Sequence, residues 1–263
     1  MILDVDKLVF GYRKEKNILN QITFSYDSNE IFCILGANGT GKSTLLKCIT
    51  GEYRANSGKI IIDGKKLSEY SAVNLAQKIA YIPQSHVPQF SFSVLDVVMM
   101  GRTSRMEYFS NPGSTERTIA MQKLEFLKID YLWKDAYTDI SGGERQLVMI
   151  AAALTQEPEA IIMDEPTAHL DFGNQYRFLK LVSQLKKAGI GVLMTTHFPD
   201  HALQLDGRTM LLNNGNILAV GMAKDVITNA NMKKLYEIDV KVERIGKRSI
   251  CIPEEVGELS CDE

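Results

Sequence analysis

The chain has 263 residues, of which 45% are hydrophobic and 24% charged, with a formal net charge of −2. That length buries a full core, as one large domain or one domain with a small appendage, and the near-balanced charge argues against a broad nucleic-acid footprint, though not against a local basic patch. Met1-Ile2-Leu3-Asp4-Val5-Asp6 does not read as a signal peptide, and the longest apolar run, Leu147 to Leu154, falls far short of the roughly 18 residues of a spanning helix, so a cytosolic protein, or one held at a membrane by a partner, is expected.

Ile2 to Phe10 alternates weakly and ends at Gly11-Tyr12, a strand and a turn; Ile22 to Tyr26 reads as a second strand. Together they suggest an antiparallel β layer. Tyr12 could stack on a base, although a turn tyrosine alone is as well explained by packing. Ile31 to Leu35 is a buried strand, and Gly36-Ala37-Asn38-Gly39-Thr40-Gly41-Lys42-Ser43-Thr44 then fits G-x-x-x-x-G-K-[ST] at every fixed position. Ser43 to Ile49 is helical, with Gly51 where a left-handed cap belongs. Strand, glycine loop and helix form a phosphate cradle: backbone N–H groups and the helix N-terminus face the anion, Lys42 reaches the β/γ-phosphates, and the Ser43 hydroxyl helps hold Mg²⁺.

Gly58 to Gly64 is a strand closing on an Asp-Gly turn, Val73 to Gln77 a short helix, and Ile79 to Ile82 a strand stopped by Pro83. Gln84 opens a loop to about Phe92. Val94 to Met100 is a helix richer in apolar residues than one buried face needs, so it is either core or in part a docking surface. Glu116 to Lys128 resumes helical spacing. Ser141-x-x-Glu144 reads as a capping box, but two glycines in the first turn weaken a helix and make sense if an anion approaches the backbone: a second anion site.

Ala160 to Met163 is an apolar strand ending in Asp164-Glu165-Pro166. A carboxylate at that end, in a chain with a phosphate loop, suits Mg²⁺ coordination, and Glu165 on the opposite side can orient a water. Gln175 to Lys187 is an amphipathic helix; Gly191 to Thr196 is another buried strand, ending at His197, where γ-phosphate contacts collect. His197 and His201 could pair on a metal, but Pro199 argues against a regular helix between them. Arg208 to Leu212 and Ile217 to Val220 form a hairpin, and a small appendage of short elements follows Met222. Cys33 and Cys48 read as small core residues; Cys251 and Cys261 sit in the tail, where a metal or redox pair is the less economical reading.

In this order, these pieces resemble the ATP-binding cassette (ABC) ATPases from about Leu3 to Val220. Gly36 to Thr44 looks like Walker A, Ser141 to Gln146 like the signature motif, and Ile161 to Glu165 like Walker B. The resemblance implies an α/β P-loop NTPase cassette with a mixed core sheet, an N-terminal antiparallel β layer and a helical subdomain, about 85–158, carrying the signature. The ATPase domain would span 1–221 and the appendage 222–263. It implies ATP and Mg²⁺ as ligands. Gly36, Asn38, Gly39, Gly41, Lys42, Ser43 and Thr44 would hold nucleotide, with Tyr12 stacking on adenine. Ser141, Gly142, Gly143 and the D-loop Asp171 would act on nucleotide across a partner cassette. Ser43, Gln84 and Asp164 would form the Mg²⁺ shell, Glu165 would polarise the attacking water, and His197 would contact the γ-phosphate. Ile140 in place of the usual leucine is conservative, and His169 alters the D-loop pattern without touching the fold.

Val97 to Arg102 and Thr195 to Ala202 look like the ATPases of iron-chelate, haem and cobalamin importers; Phe109-Ser110-Asn111-Pro112 is similar to relatives importing molybdate or tungstate. Implied partners are a second copy in a head-to-tail homodimer, membrane permease subunits and, indirectly, an extracellular solute-binding protein, at the cytoplasmic face of the membrane and without nucleic acid. A soluble ABC ATPase acting on DNA or ribosomes is the rival, but the roughly 100 residues between Walker A and the signature hold no heptad run or zinc site.

Overall fold

The computed structural model describes residues 1–13, 16–84, 91–107, 110–246 and 248–254. Cys261, Phe109 and most of the loop after Gln84 lie outside them.

Strands β1 (Ile2–Phe10), β2 (Leu19–Asp27), β4 (Ser57–Ile62) and β5 (Lys65–Lys66) form an antiparallel sheet ordered β2-β1-β4-β5, with Leu3 opposite both Tyr26 and Ile62. β2 starts three residues before the expected Ile22, because buried Leu19 pairs with Phe10. A second sheet runs β10 (Asn216–Met222), β9 (Arg208–Asn213), β3 (Ile31–Leu35), β8 (Gly191–Thr196), β7 (Ala160–Met163), β6 (Ile79–Ile82). It is parallel except for the β9–β10 hairpin, giving the expected mixed core sheet. The hairpin turns on Asn214-Gly215, both at positive φ, the conformation that matches strand twist in a two-residue turn.

Alternation along the core strands sends side chains to two faces. Phe32, Ile34, Ile162, Leu193 and Met210 pack on α1 (Lys42–Ile49) and the antiparallel layer. Cys33, Leu35, Ile161, Met163 and Met194 pack on the helices of the other side, including α5 (Gly142–Thr155), α6 (Phe172–Lys187) and α7 (Pro199–Leu205). Both Cys33 and Cys48 are core residues, as expected. α6 begins earlier than expected, at Phe172, because the Asp171 carboxylate accepts from the Asn174 N–H and caps the helix. Pro199 starts α7 instead of breaking it: a first-turn residue needs no N–H partner, so proline is tolerated there.

Helices α2 (Ala72–Lys78), α3 (Val94–Met100) and α4 (Ser114–Phe126) lie between β5 and α5 in sequence. Val94, Leu95, Val97 and Val98 are buried, so α3 is chiefly core; Phe92 and Met100 remain exposed at its two ends. Arg102 donates to the carbonyl of Thr155, the last residue of α5, and Arg105 to those of Gln156 and Glu157 just after it, tying the end of α3 to that helix. After Met222, α8 (Ala223–Val226) and α9 (Asn229–Tyr236) add Ala223, Val226, Met232 and Leu235 to the core, and the β11 (Val240–Ile245) and β12 (Arg248–Pro253) hairpin packs on α7. Among the described residues, no helix is long and apolar enough to cross a membrane.

Candidate active site

The carboxyl ends of β3, β6, β7 and β8 lie side by side, so the segments that follow them converge. Gly39 and Gly41 sit at φ of 80° and 103°, which a side chain would resist, and turn the loop tightly into α1. Lys42, buried at the helix start, folds back over the loop: its Nζ donates to the carbonyls of Gly36 and Ala37, both at 2.9 Å. Its third partner is the Glu165 carboxylate, 2.9 Å from Oε1. Asn38 and Gly39 are exposed at the loop tip, Thr44 is buried, and Ser43 is half-buried one residue into the helix.

Glu165 gathers the site. Its backbone is left-handed, φ 43°, a conformation that costs a non-glycine residue about 1–3 kcal/mol and persists only where surroundings impose it. One surrounding group is Thr195, whose hydroxyl accepts from the Glu165 N–H (2.7 Å) and donates to Asp164 Oδ1 (2.7 Å). Besides Lys42, the Glu165 carboxylate meets Gln84 Nε2 at 3.3 Å and His197 Nδ1 at 3.2 Å. Lys42, Gln84, Asp164, Glu165 and His197, far apart in sequence, are thus one cluster. The two acids are not exposed residues at a strand end; both are buried, Asp164 at 3% and Glu165 at 8% exposure. A carboxylate, a hydroxyl and an amide oxygen, from Asp164, Ser43 and Gln84, are hard oxygen donors of the kind Mg²⁺ takes.

Thr195 was not singled out in the sequence, although two threonines closing a wholly buried strand are a signal, since buried hydroxyls need partners. Thr196 supplies the other: its hydroxyl accepts from the Phe198 N–H and lies 3.3 Å from His201 Nδ1, with Thr167 Oγ1 at 3.4 Å from the same nitrogen. Burial, reinforced by His197, lowers the His201 pKa from 6.5 to about 4. His201 is a neutral packing residue, and among the described residues no cluster of three or more His, Cys, Asp or Glu could hold a metal ion.

The residues of the expected second anion site stand on a separate stretch. Ser141 and Glu144 form the expected capping box at the start of α5, with Tyr131 donating to Glu144 at 3.1 Å. A Cβ on Gly143 would lie 3.5 Å from Asn174 Nδ2 and 3.8 Å from the Leu170 side chain, whereas one on Gly142 would meet none of the described residues within 4 Å. Ser141, Gly142, Gly143 and Asp171 therefore share one surface, which also carries Phe172, 88% exposed. Tyr12 stands apart from both groups, edge-on to Phe10 and Tyr53 at 5.2 and 5.7 Å, in a small aromatic cluster beside the end of α1. Tyr53 was not anticipated; its N–H bonds to the Lys47 carbonyl.

The ABC transporter family model matches residues 19–168. An ABC transporter ATP-binding protein of Haemophilus influenzae is 41% identical over 236 residues, covering 90% of this chain and 89% of that one. The molybdate import ATP-binding protein MolC of the same organism is 35% identical over 237 residues, covering 90% and 88%. The hemin import ATP-binding protein HmuV of Hahella chejuensis is 36% identical over 237 residues, covering 88% and 91%. Among solved structures, a metal-chelate type ABC transporter in an inward-facing conformation matches with a TM-score of 0.84 and 33% identity, covering 97% of this chain and 98% of that one.

Proposed function

The chain belongs to the ABC transporter family, as one of its ATP-binding subunits, and from that premise we propose that it drives the import of a metal chelate of the iron-siderophore, haem or cobalamin type through a separate membrane permease. Support for the cargo class comes from the hemin-import relative and the metal-chelate type structure, whose match runs nearly end to end. The molybdate-import relative, at 35% identity, keeps an oxyanion cargo as the second reading. The cassette works as an ATPase at the permease, and through that partner it gains its membrane association.

One observation carries the mechanism: the Glu165 carboxylate, buried and in contact with Lys42, Gln84 and His197 at once. The loop N–H groups and the α1 N-terminus bind the phosphates of ATP, with Lys42 on the β/γ-phosphates. Once Lys42 faces phosphate, Glu165 is released to take a proton from the attacking water as its oxygen bonds to the γ-phosphorus and ADP departs. His197 holds the γ-phosphate. Ser43, Asp164 and Gln84 would hold Mg²⁺, which supplies positive charge to the phosphate oxygens. Asn38 and Thr44 complete the loop, and Tyr12 offers its free ring face to adenine. Ser141, Gly142 and Gly143 close on the ATP of a second copy, with Asp171 beside them, so that a head-to-tail homodimer holds two nucleotides. A solute-binding protein would deliver the cargo to the permease.

The Glu165→Gln variant, purified from solubilised membranes of the native host, tests both levels. Turnover should fall by at least about 100-fold while ATP binding persists, and ATP should hold the chain as a dimer. Mass spectrometry should find a polytopic permease in the same fraction, and the cargo then follows from ligand binding by the cognate binding protein. Rapid hydrolysis by the variant removes Glu165 from its role, and recovery with ribosomes or DNA and no permease removes the import reading.

A further inference from the structure

Tyr236 closes α9, beyond every nucleotide motif, yet its hydroxyl donates to the backbone carbonyl of His197 at 2.8 Å. Burial raises the pKa of this hydroxyl well above the ordinary tyrosine value, with the negative charge of Glu165 contributing, so it stays a donor across the physiological range. The segment it touches is gripped elsewhere too. The Thr196 hydroxyl accepts from the Phe198 N–H, and the Cys251 N–H of β12 donates to Asp200 Oδ1 at 2.8 Å. The His197 carbonyl and the Asp200 side chain, on either side of Phe198-Pro199, are thereby held by two elements that follow Met222. α9 itself is anchored: Met232 and Leu235 are buried, and Asn213 donates to the Lys234 carbonyl. Fixing the His197 carbonyl fixes the plane from which its Cα–Cβ bond departs, and hence where the imidazole points; Nδ1 lies 3.2 Å from Glu165 Oε2.

We propose that Tyr236 is a positioning residue for the γ-phosphate contact of His197, which makes the C-terminal segment a working part of the nucleotide site and not only packing. The proposal rests on the γ-phosphate role given to His197 above.

The test is Tyr236→Phe in the full chain, which keeps the ring and its packing and removes only the donor. Isothermal titration calorimetry measures the affinity for a non-hydrolysable ATP analogue with Mg²⁺ and for ADP, in the Tyr236→Phe, His197→Ala and double variants. Loss of one hydrogen bond acting through His197 should weaken the ATP analogue by about three- to tenfold and leave ADP unchanged. In the His197→Ala background the same substitution should cost nothing further, because the two residues act in series. An equal loss for both nucleotides, no loss at all, or a full additional loss in the double variant overturns the coupling while leaving His197 in place. If His197→Ala itself keeps the preference for ATP over ADP, the γ-phosphate assignment fails, and the coupling falls with it.

Discussion

Among single residues, His201 shows how position changes chemistry. A histidine in water titrates near pH 6.5; here burial among Thr167, Thr196 and Phe198, with His197 nearby, brings it to about 4. A base whose folded pKa lies below its unfolded value stabilises the fold fully above the unfolded pKa, and that stability is lost as pH falls toward the folded one. Between pH 7 and pH 5 the expected loss is about 2 kcal/mol of unfolding free energy. Urea melts at the two values should give it, and His201→Asn, which cannot titrate there, should flatten that dependence; an unchanged slope would assign the acid sensitivity elsewhere. The sequence raised a metal pair of His197 and His201 and set Pro199 against it, but left the place of His201 open, because spacing alone does not reveal which ring is buried. Lys42, Asp164, Glu165 and His197 were legible because each ends or follows a recognisable strand or motif, whereas Gln84, a lone glutamine after a strand, drew its role from the family resemblance alone. Thr195 and Tyr236 were not: one hydroxyl acts between two acids, and the other acts on a main-chain carbonyl from a helix with no motif.

The elements are set by similar local choices, and the least visible of them is the contact between α3 and α5. The sequence ended α3 at Met100, directly before Gly101, which is its C-cap. It could not say why glycine is needed there, since φ is ordinary. The reason is across the interface: a Cβ on Gly101 would sit within 3.0 Å of the Ala152 carbonyl oxygen and the Thr155 hydroxyl. The Thr155 hydroxyl, with one proton to give, lies 2.7 Å from the Ala152 carbonyl of its own helix and 3.1 Å from the Val98 carbonyl of α3, so the two helices meet closely. Gly101→Ala must push them apart, at about 1–3 kcal/mol, the usual cost of overpacking. Thermal or urea unfolding should register that loss, while ADP affinity at the distant phosphate loop stays within about twofold; a variant as stable as the parent would mean that the helices slide freely. Strands were legible to within a residue or so where turns are Asn-Gly or Asp-Gly. Helix starts were less so, because Asp171 and Pro199 act through caps and first-turn geometry, which apolar periodicity does not record.

At the scale of the whole molecule, the question is why α5 starts with two glycines. As the N-terminus of an isolated helix, the capping box of Ser141 and Glu144 is complete without them. Gly143 has a neighbour in Asn174, but Gly142 is exposed and faces open space, so nothing among the described residues requires it to lack a side chain. Gly142→Ala should therefore leave the monomer as stable or stabilise it by up to about 1 kcal/mol, the helical preference for alanine over glycine. If the surface of Ser141, Gly143, Asp171 and exposed Phe172 receives the ATP of a second copy, the same methyl group stands where the phosphate must approach the backbone. Activity should then fall by at least about tenfold, and Gly142→Ala added to Glu165→Gln should abolish the ATP-dependent dimer in sedimentation velocity. Stability and activity moving in opposite directions is the signature of a residue kept for a partner. A Gly142→Ala chain that dimerises and hydrolyses ATP normally would return this helix start to a purely structural role and leave the nucleotide to be completed by some other surface.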